Sequence, residues 1–297
     1  MKFRLNLQLH VHTSRSFDCQ VKAKEYVRFL EKNSGEDEFN VLGITDHNIT
    51  PYSLKEAYDL STKKVLVIPG LQWRLKKTLK ESITKLSTRR EILTLGDHDD
   101  LRAYIYKETD SKINEIGEIL NNFSEDRLLS YLSGGQEIIL IVPHPKHGVI
   151  EYYGQREIKE LKGKMLERKI NIPFFVEEKT GYDPLPRIFS NYKKKYLILG
   201  GSDAHEIVSL FKTNSMFSVE TYLYINEELP KMWQKALAVK NLDLYRETLR
   251  FLFSLLVEKN KDIIIKKHYL RSVIHFSRSL VYFLSRRFED FPRNFFK

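Results

Sequence analysis

The chain has little cysteine and no long apolar run. Its 297 residues include a single cysteine, Cys19, so no disulfide can form within the chain, and we interpret Cys19 as a small packing residue. No apolar stretch approaches the roughly 20 residues of a membrane-spanning helix. The longest, Phe251 to Val257, already contains Ser254. The amino-terminal residues MKFRLNLQ are too polar for a secretory signal. We therefore expect a cytoplasmic protein without a transmembrane segment.

Acidic residues are outnumbered, and most of the basic excess lies near the carboxyl terminus. The formal net charge is +10, and residues 246–297 contain 12 Lys/Arg and 5 Asp/Glu, a net charge of +7. A basic patch suits a phosphate-rich partner such as nucleic acid, or an anionic surface. A solvated basic surface without a specific partner is the other interpretation.

Short apolar runs predict seven strands, at about 3–9, 41–45, 65–68, 91–95, 138–142, 172–177 and 196–200. Most are nearly continuous runs of Val, Ile and Leu, as in strands buried on both faces. The first run alternates, which places Leu5, Leu7 and Leu9 on one face and His10 on the other. Between the runs, helix-like segments lie at about 21–33, 53–61, 111–132, 155–168 and 184–194.

Alternating strands and helices predict parallel strands with crossover helices. We therefore predict an α/β fold, a distorted seven-stranded (β/α)7 TIM-like barrel. A doubly wound open sheet is the structural alternative. The barrel is favoured because candidate ligands follow strands from the whole series, whereas an open sheet collects function at one crevice.

The pattern changes after about residue 225. Helix-like apolar spacing follows at residues 232–239, 242–258 and 263–287, and Pro292 ends it. We predict a barrel domain over residues 1–225 and a basic helical extension over residues 226–297. The extension would pack on the barrel or on a second subunit, and it is our candidate for contacts in a homo-oligomer.

Histidines and carboxylates follow several of the predicted strands. His10 and His12 are two residues apart, so both imidazoles point the same way from one strand. Asp203 and His205 repeat this spacing on the last strand, which neighbours the first strand in a barrel. Two further predicted strand ends carry Asp46-His47 and His144. Together these residues predict a polynuclear metal site at one mouth of the barrel.

Five motifs occur in an order that resembles a known family. LHVHTSRSFD, GITDHN, VIPGLQW, VPHP and GGSDAH resemble the motifs of the polymerase and histidinol phosphatase (PHP) family, over about residues 5–225. The resemblance implies a distorted seven-stranded α/β barrel, two or three divalent metal ions and hydrolysis of phosphate esters. Mixed nitrogen and oxygen ligands suit manganese, iron or zinc.

The resemblance also implies ligands for each metal. They are His10, His12 and Asp203 for the first metal, Asp18, His47 and His205 for another, and His144 for the remaining one. Asp46 precedes a ligand, so we expect it to orient or cap rather than to bind metal.

The chain departs from the family's motifs at two positions. A bridging glutamate is replaced by Gln72, which offers one neutral oxygen and cannot bridge two cations with negative charge. A ligand histidine of the next motif falls on Glu91, whose carboxylate would restore some of the lost charge. Other candidate replacements are His98 and Glu177 or Glu178. The His144 site is therefore expected to be the weakest, so the chain would hold two metals firmly and a third loosely or not at all.

The resemblance, together with the predicted metal site, implies a metal-dependent hydrolase of phosphate mono- or diesters that uses a metal-bound hydroxide. We assign catalysis to Asp203, His205 and Arg15, and further phosphate contacts to Lys146, His147 and Lys179. Nucleotides, nucleic-acid ends or small phosphorylated metabolites are the predicted substrates. The alternative is a barrel weakened by Gln72 that serves as a nucleic-acid-binding or assembly module. A weaker idea is that the basic helices attach to anionic lipid.

Overall fold

The computed structural model describes residues 2–16, 19–47, 51–75, 90–101, 103–105, 123–135, 137–143, 146–147, 150–151, 155–180, 196–204 and 219–267. Their strands are β1 (Phe3–Val11), β2 (Glu38–His47), β3 (Val65–Leu75), β4 (Arg90–Gly96), β5 (Ile138–Val142), β6 (Lys146–His147), β7 (Ile150–Glu151), β8 (Phe174–Thr180), β9 (Leu197–Gly201), β10 (Val219–Ile225) and β11 (Ile264–Lys267). Nine of them form one mixed sheet in the order β11-β10-β1-β2-β3-β4-β5-β8-β9, while β6 and β7 pair with each other.

The sheet curls into a nearly closed barrel. The chain just beyond β9 returns to β1, where the His12 amide donates to the Ala204 carbonyl at 3.0 Å and Val11 forms a parallel bridge with Ala204. The first strand and the last predicted strand are thus neighbours, as expected. The alternative prediction, a doubly wound open sheet, is therefore wrong.

All seven predicted strands are present, as β1 to β5, β8 and β9, but the predicted strand count was too low. β10 and β11 extend the sheet beside β1, and β10 runs antiparallel to both β1 and β11. β4 runs antiparallel to β3 and to β5. The uniformly parallel order of a TIM-like barrel is therefore not what the chain adopts in this region.

The helices with both bounds in the described residues are α1 (Ala23–Asn33), α2 (Leu54–Leu60), α3 (Glu125–Leu132), α4 (Gln155–Glu167), α5 (Glu228–Val239), α6 (Leu242–Glu258) and a 3-10 turn (Asn260–Asp262), and residues 101 and 103–105 are also helical. Each of α1 to α6 overlaps a predicted helical segment, whereas the 3-10 turn and the helical residues 101 and 103–105 were not predicted. The segments predicted at 111–122 and 184–194 lie outside the described residues. None of the described helices combines the length and the apolar character needed to cross a bilayer.

The helix predicted over residues 263–287 is wrong at its start. Residues 264–267 form β11, in which Ile265 pairs with Thr221 and Lys267 with Val219 of β10. The backbone groups at the open edge of β10 are satisfied by this pairing, which overrides the helical spacing of the apolar residues. Residues 268–297 of the predicted helix lie outside the described part of the chain.

Helices α5 and α6 close one end of the barrel. Their apolar faces join the same core as the inward residues of the strands, including Leu5, Leu223, Trp233 and Leu252. The Trp233 indole donates to the Thr62 carbonyl at 2.7 Å, just before β3 begins. Asn260 bonds both the amide and the carbonyl of Ile198 near the start of β9, each at 2.9 Å. Helices α5 and α6 and the 3-10 turn therefore lie at the strand starts, away from the strand ends that carry the histidines, whereas β11 runs along β10 as far as Val219.

A β-bulge in β1 decides where the first two histidines point. The pairing of β1 with β2 shifts register between Gln8 and Val11. Leu9 belongs to the barrel interior, whereas Val11 packs with residues of α1. The bulge adds one residue to the alternation, so His10 turns inward together with Leu9. Simple alternation had placed His10 on the face opposite Leu9, and this prediction was wrong.

Candidate metal centre

His10, His12 and Asp203 meet at the mouth of the barrel. One ligand atom from each lies within 4.8 Å of the others, and all three residues are buried. The Asp203 Oδ1 atom is 3.2 Å from His10 Nε2 and 3.0 Å from His12 Nε2. Two imidazole nitrogens and a carboxylate oxygen are the donor set of many divalent transition-metal sites. We call these three residues, together with Glu177, the anionic half of the mouth.

Hydrogen-bonding groups at the Nδ1 atoms of His10 and His12 hold the two rings in place. Glu177 Oε1 lies 2.9 Å from His10 Nδ1, and Ser16 Oγ lies 3.4 Å from His12 Nδ1. A carboxylate or hydroxyl on the far nitrogen is the usual support of a metal-binding histidine, because it fixes the ring and leaves Nε2 for the metal. The next strand accommodates this contact with Gly201, where a Cβ atom would overlap the Glu177 carboxylate.

The backbone of Asp203 is left-handed, with φ of 49°. Such a conformation is uncommon for residues other than glycine, although aspartate tolerates it better than most. It turns the chain directly after β9 and brings the carboxylate over the two rings. Strained backbone of this kind concentrates at functional sites.

The charge balance of the anionic half favours a cation. Burial alone would lower the pKa of His10, but the Asp203 and Glu177 carboxylates raise it well above its usual value of 6.5. Without a cation, the His10 ring therefore carries a proton on both nitrogens, and Nε2 also donates to the Gln72 Oε1 atom at 3.1 Å. With both rings neutral, the two carboxylates amount to a charge of −2 in a buried pocket. A divalent ion matches this charge, so the residues fit such an ion.

Asp46 holds the loop that follows His12. Its carboxylate accepts from the Thr13 amide at 2.6 Å, the Thr13 hydroxyl at 2.7 Å and the Ser16 hydroxyl at 2.9 Å. Burial raises the pKa of Asp46, and these hydrogen bonds and the nearby His47 lower it by less. Asp46 thus acts as the orienting residue that its position indicated.

The opposite side of the mouth contains a guanidinium. Arg74 donates from Nε to Glu91 Oε1 at 2.9 Å and from Nη2 to His47 Nε2 at 3.1 Å. Gln72 donates to the other Glu91 oxygen at 2.9 Å. We call His47, Gln72, Arg74 and Glu91 the guanidinium half of the mouth. Glu91 balances Arg74 here rather than joining His10, His12 and Asp203.

The two halves touch through their rings. The His47 ring stacks on the His12 ring with centroids 4.2 Å apart, and Gln72 bridges His10 and Glu91. Arg74 is the residue that sequence reasoning missed. The sequence contained the information needed to find it, because residues 72 and 74 of one strand project to the same face and Gln72 was already a candidate.

The remaining predicted site residues are placed only in part. Asp18, His144 and His205 lie outside the described residues, as do the side chains of Lys146, His147 and Lys179. Arg15 is described: it donates to Glu56 Oε1 at 2.8 Å, and its guanidinium lies 3.6 Å from the centre of the Tyr52 ring. His98 contacts Tyr131 and does not join the metal group.

Comparison with known proteins leaves the family open. No family model matches the chain, and no curated protein matches it. Among solved structures, a similar one is a protein from Bifidobacterium adolescentis proposed to be a metal-dependent phosphoesterase. The two chains are 11% identical, with a TM-score of 0.39 over 67% of this chain and 87% of that one. So distant a match carries no argument about function, and the PHP family remains a resemblance of motifs.

Proposed function

We propose that this chain is a metal-dependent phosphoesterase, with a divalent ion bound by His10, His12 and Asp203. The observation that carries the proposal is the buried anionic half, in which two carboxylates and two oriented imidazoles converge. The order of the PHP-like motifs supports the same activity. Mn²⁺, Zn²⁺ and Fe²⁺ all accept this donor set.

The chemistry divides between the cation and the chain. A divalent ion bound here would withdraw charge from a phosphoryl oxygen and make water a better nucleophile at neutral pH. Glu177 holds the His10 ring in place, and Asp46 holds the loop that carries Thr13 and Ser16. Arg74 supplies a fixed positive charge at the opposite side of the mouth, where it would contact the remaining phosphate oxygens.

A second ion would bind beside the first through Asp18, His47 and His205. His47 stacks on His12, so its ring lies next to the first group. However, its Nε2 atom accepts a hydrogen bond from Arg74. An ion at that nitrogen would have to displace the guanidinium, and we therefore propose that the second ion binds more weakly than the first. A third ion at His144 would lack the carboxylate that Gln72 replaces.

We propose phosphate mono- or diesters as substrates, with nucleotides and nucleic-acid ends first among them because of the basic carboxyl-terminal residues. A panel of phosphorylated compounds assayed with Mn²⁺, Zn²⁺ and Fe²⁺ tests this proposal. Hydrolysis should require one of these ions and should disappear in His10→Ala and Asp203→Ala. Glu178→Gln, next to Glu177 in β8, is the matched control and should retain activity. Failure of the wild-type chain to hydrolyse any ester with any ion would contradict the proposal.

Gln72 favours a second candidate, a barrel that binds ligands or nucleic acid without turnover. Its neutral amide bridges His10 and Glu91, where a carboxylate would add charge for another ion. Gln72→Glu separates the two candidates. A large rise in hydrolysis from an inactive wild-type chain would favour the binding module, whereas an active wild-type chain would exclude it.

A further inference from the structure

Three candidate metal ligands surround a guanidinium in the mouth of the barrel. His47, Gln72 and Glu91 offer an imidazole nitrogen, an amide oxygen and a carboxylate, all of which occur as ligands of divalent metals. The Arg74 guanidinium contacts two of them, Glu91 through Nε at 2.9 Å and His47 through Nη2 at 3.1 Å. The described ligand atoms that lie close enough to share an ion belong instead to the anionic half. A cation of the chain therefore stands among ligands suited to a metal.

The register of three strands builds this arrangement. His47 of β2 is paired with Gln72 of β3, and Arg74 of β3 is paired with Glu91 of β4. Residues 72 and 74 project to the same face of β3, so the amide and the guanidinium reach Glu91 together. Each of them donates to a different Glu91 oxygen at 2.9 Å. Paired strands thus hold the guanidinium in place.

The contact between Arg74 and His47 uses the atom that an ion would need. A guanidinium can only donate, so the Nε2 atom of His47 must accept, and the ring proton lies on the buried Nδ1 atom. A metal ion binds the lone pair of a neutral imidazole. The lone pair of His47 already accepts from Arg74, so an ion could take it only by displacing the guanidinium.

Gln72 suits this charge balance better than a carboxylate would. Its amide nitrogen donates to Glu91 Oε2 at 2.9 Å, and its oxygen lies 3.1 Å from His10 Nε2. An ionised glutamate at position 72 could not donate, and its charge would repel Glu91. Gln72 and Arg74 together give each Glu91 oxygen a donor. The loss of the family's glutamate therefore accompanies the gain of a guanidinium two residues later.

The guanidinium can be reached from the mouth. The Arg74 side chain is 25% exposed, and that of its partner Glu91 is 12% exposed. A guanidinium is a planar fork that matches pairs of phosphate oxygens, and it keeps its charge at any ordinary pH. It can therefore do part of what a metal ion does for a phosphate ester, which is to neutralise and orient the phosphoryl oxygens.

We propose that the Arg74 guanidinium replaces a second metal ion, so that the mouth works with one divalent ion and one guanidinium. The inference rests on the proposed phosphoesterase function, because the ion and Arg74 would hold the same phosphoryl group from opposite sides. Glu91 and His47 hold the guanidinium, and Gln72 engages the second Glu91 oxygen. His47 is then a positioning residue for Arg74 rather than a metal ligand.

Counting the Mn²⁺ ions bound by the full chain tests the replacement. By calorimetry and electron paramagnetic resonance, the wild-type chain should bind one ion tightly and show no coupled pair. Arg74→Ala should gain a second ion that binds at least about tenfold more tightly than any second ion of the wild-type chain, because a competing positive charge leaves its ligands. Arg74→Lys keeps that charge and is the matched control, which should bind one ion. Two equally tight ions in the wild-type chain would overturn the proposal, as would an Arg74→Ala chain that gains none.

Inorganic phosphate tests the part of the proposal that concerns the substrate. With one equivalent of Mn²⁺ bound, the wild-type chain should bind phosphate, and Arg74→Gln should weaken that binding by about tenfold or more, because a charged donor is lost. Arg156→Gln removes an exposed arginine of α4 and is the matched control, which should bind phosphate as the wild-type chain does. Equal phosphate affinity in Arg74→Gln and the wild-type chain would overturn the role of the guanidinium.

A measurement on the wild-type chain keeps the test valid even if Arg74→Ala does not fold. In a Zn²⁺ titration followed by ¹⁵N NMR, the Nε2 resonances of His10 and His12 should move to metal-bound positions with the first equivalent, whereas that of His47 should not. A metal-bound position for His47 over the same range would overturn this inference alone and leave the proposed function standing. A wild-type chain that binds no ion would overturn the proposed function, and this inference with it.

Discussion

The anionic half of the mouth holds Asp203 and Glu177 against the His10 and His12 rings, whereas the guanidinium half holds Glu91 against Arg74. Both halves bury carboxylates at the same end of the barrel. In the guanidinium half the balancing charge is part of the chain. Among the described side chains of the anionic half, the balancing charge is a proton on His10 or a cation from solution, so this half can exchange its counter-charge.

The anionic half and the guanidinium half differ because different strands end at each of them. His10 comes from β1 and His12 directly follows that strand, and the carboxylates come from β8 and from the turn after β9. β3 instead brings Gln72 and Arg74 to the mouth, opposite Glu91 of β4. Neighbouring strands of one barrel thus create an ion-binding site and an internal ion pair side by side. Four predictions test this contrast through the affinity for Mn²⁺, from the largest expected effect to the smallest.

Asp203→Asn should weaken Mn²⁺ binding by more than about a hundredfold, because it removes an anionic ligand rather than a supporting residue. Glu91→Gln is the matched control in the guanidinium half, and it should leave the affinity of the first ion nearly unchanged. Isothermal titration calorimetry measures both. Equal losses in the two variants would mean that the halves act as one site.

Glu177→Gln should weaken Mn²⁺ binding by about ten- to a hundredfold, since the His10 ring loses a carboxylate on its far nitrogen. Glu178→Gln is the control from the adjacent position of the same strand. Unchanged affinity in Glu177→Gln would show that the contact between Glu177 and His10 is not needed to orient the ring.

Mn²⁺ binding should release about one proton near pH 7 and should weaken about tenfold per pH unit toward lower pH, because the pKa of His10 is raised and its proton must leave. The folding stability of the metal-free chain depends on pH in the opposite direction. A raised pKa stabilises the fold below the unfolded value of 6.5, and that contribution is lost as the pH rises through the folded pKa. Calorimetry in buffers with different ionisation enthalpies counts the protons. Binding without proton release would contradict a protonated His10.

Arg74→Gln should change the affinity for the first Mn²⁺ ion by less than about threefold. It should lower the free energy of unfolding by about 1–3 kcal/mol, because Glu91 would remain largely buried beside a neutral partner. Urea denaturation measures the second effect. A large loss of Mn²⁺ affinity would show that the guanidinium half supports the ion, and the contrast between the halves would fail.

The sequence predicted the parts of this molecule that depend on local pattern. Each of the seven apolar runs is a strand, and the spacing of His10, His12 and Asp203 placed them at one mouth. β10 was not predicted from the sequence, although every second residue along it is apolar or a threonine: Val219, Thr221, Leu223 and Ile225. β11 could not be predicted from its own four residues, because it forms by pairing with β10.

The pairing inside the mouth could not be predicted for a similar reason. Glu91 was a candidate ligand because of its place in a motif, yet its partners are chosen by the opposing strand, which presents Gln72 and Arg74 to it. Motif positions identify which residues meet. They do not say whether a carboxylate will face a cation of the chain or an ion from solution.

The extra residue in β1 has a consequence for how this strand could change. If residues 3–12 were pleated evenly, without the bulge, the imidazoles of His10 and His12 would point outward against α1. Leu5 and Leu7 would still fill the interior, so such a regular strand could fold and yet lose chelation altogether. A one-residue shift in register therefore separates a purely architectural strand from a chemically competent one.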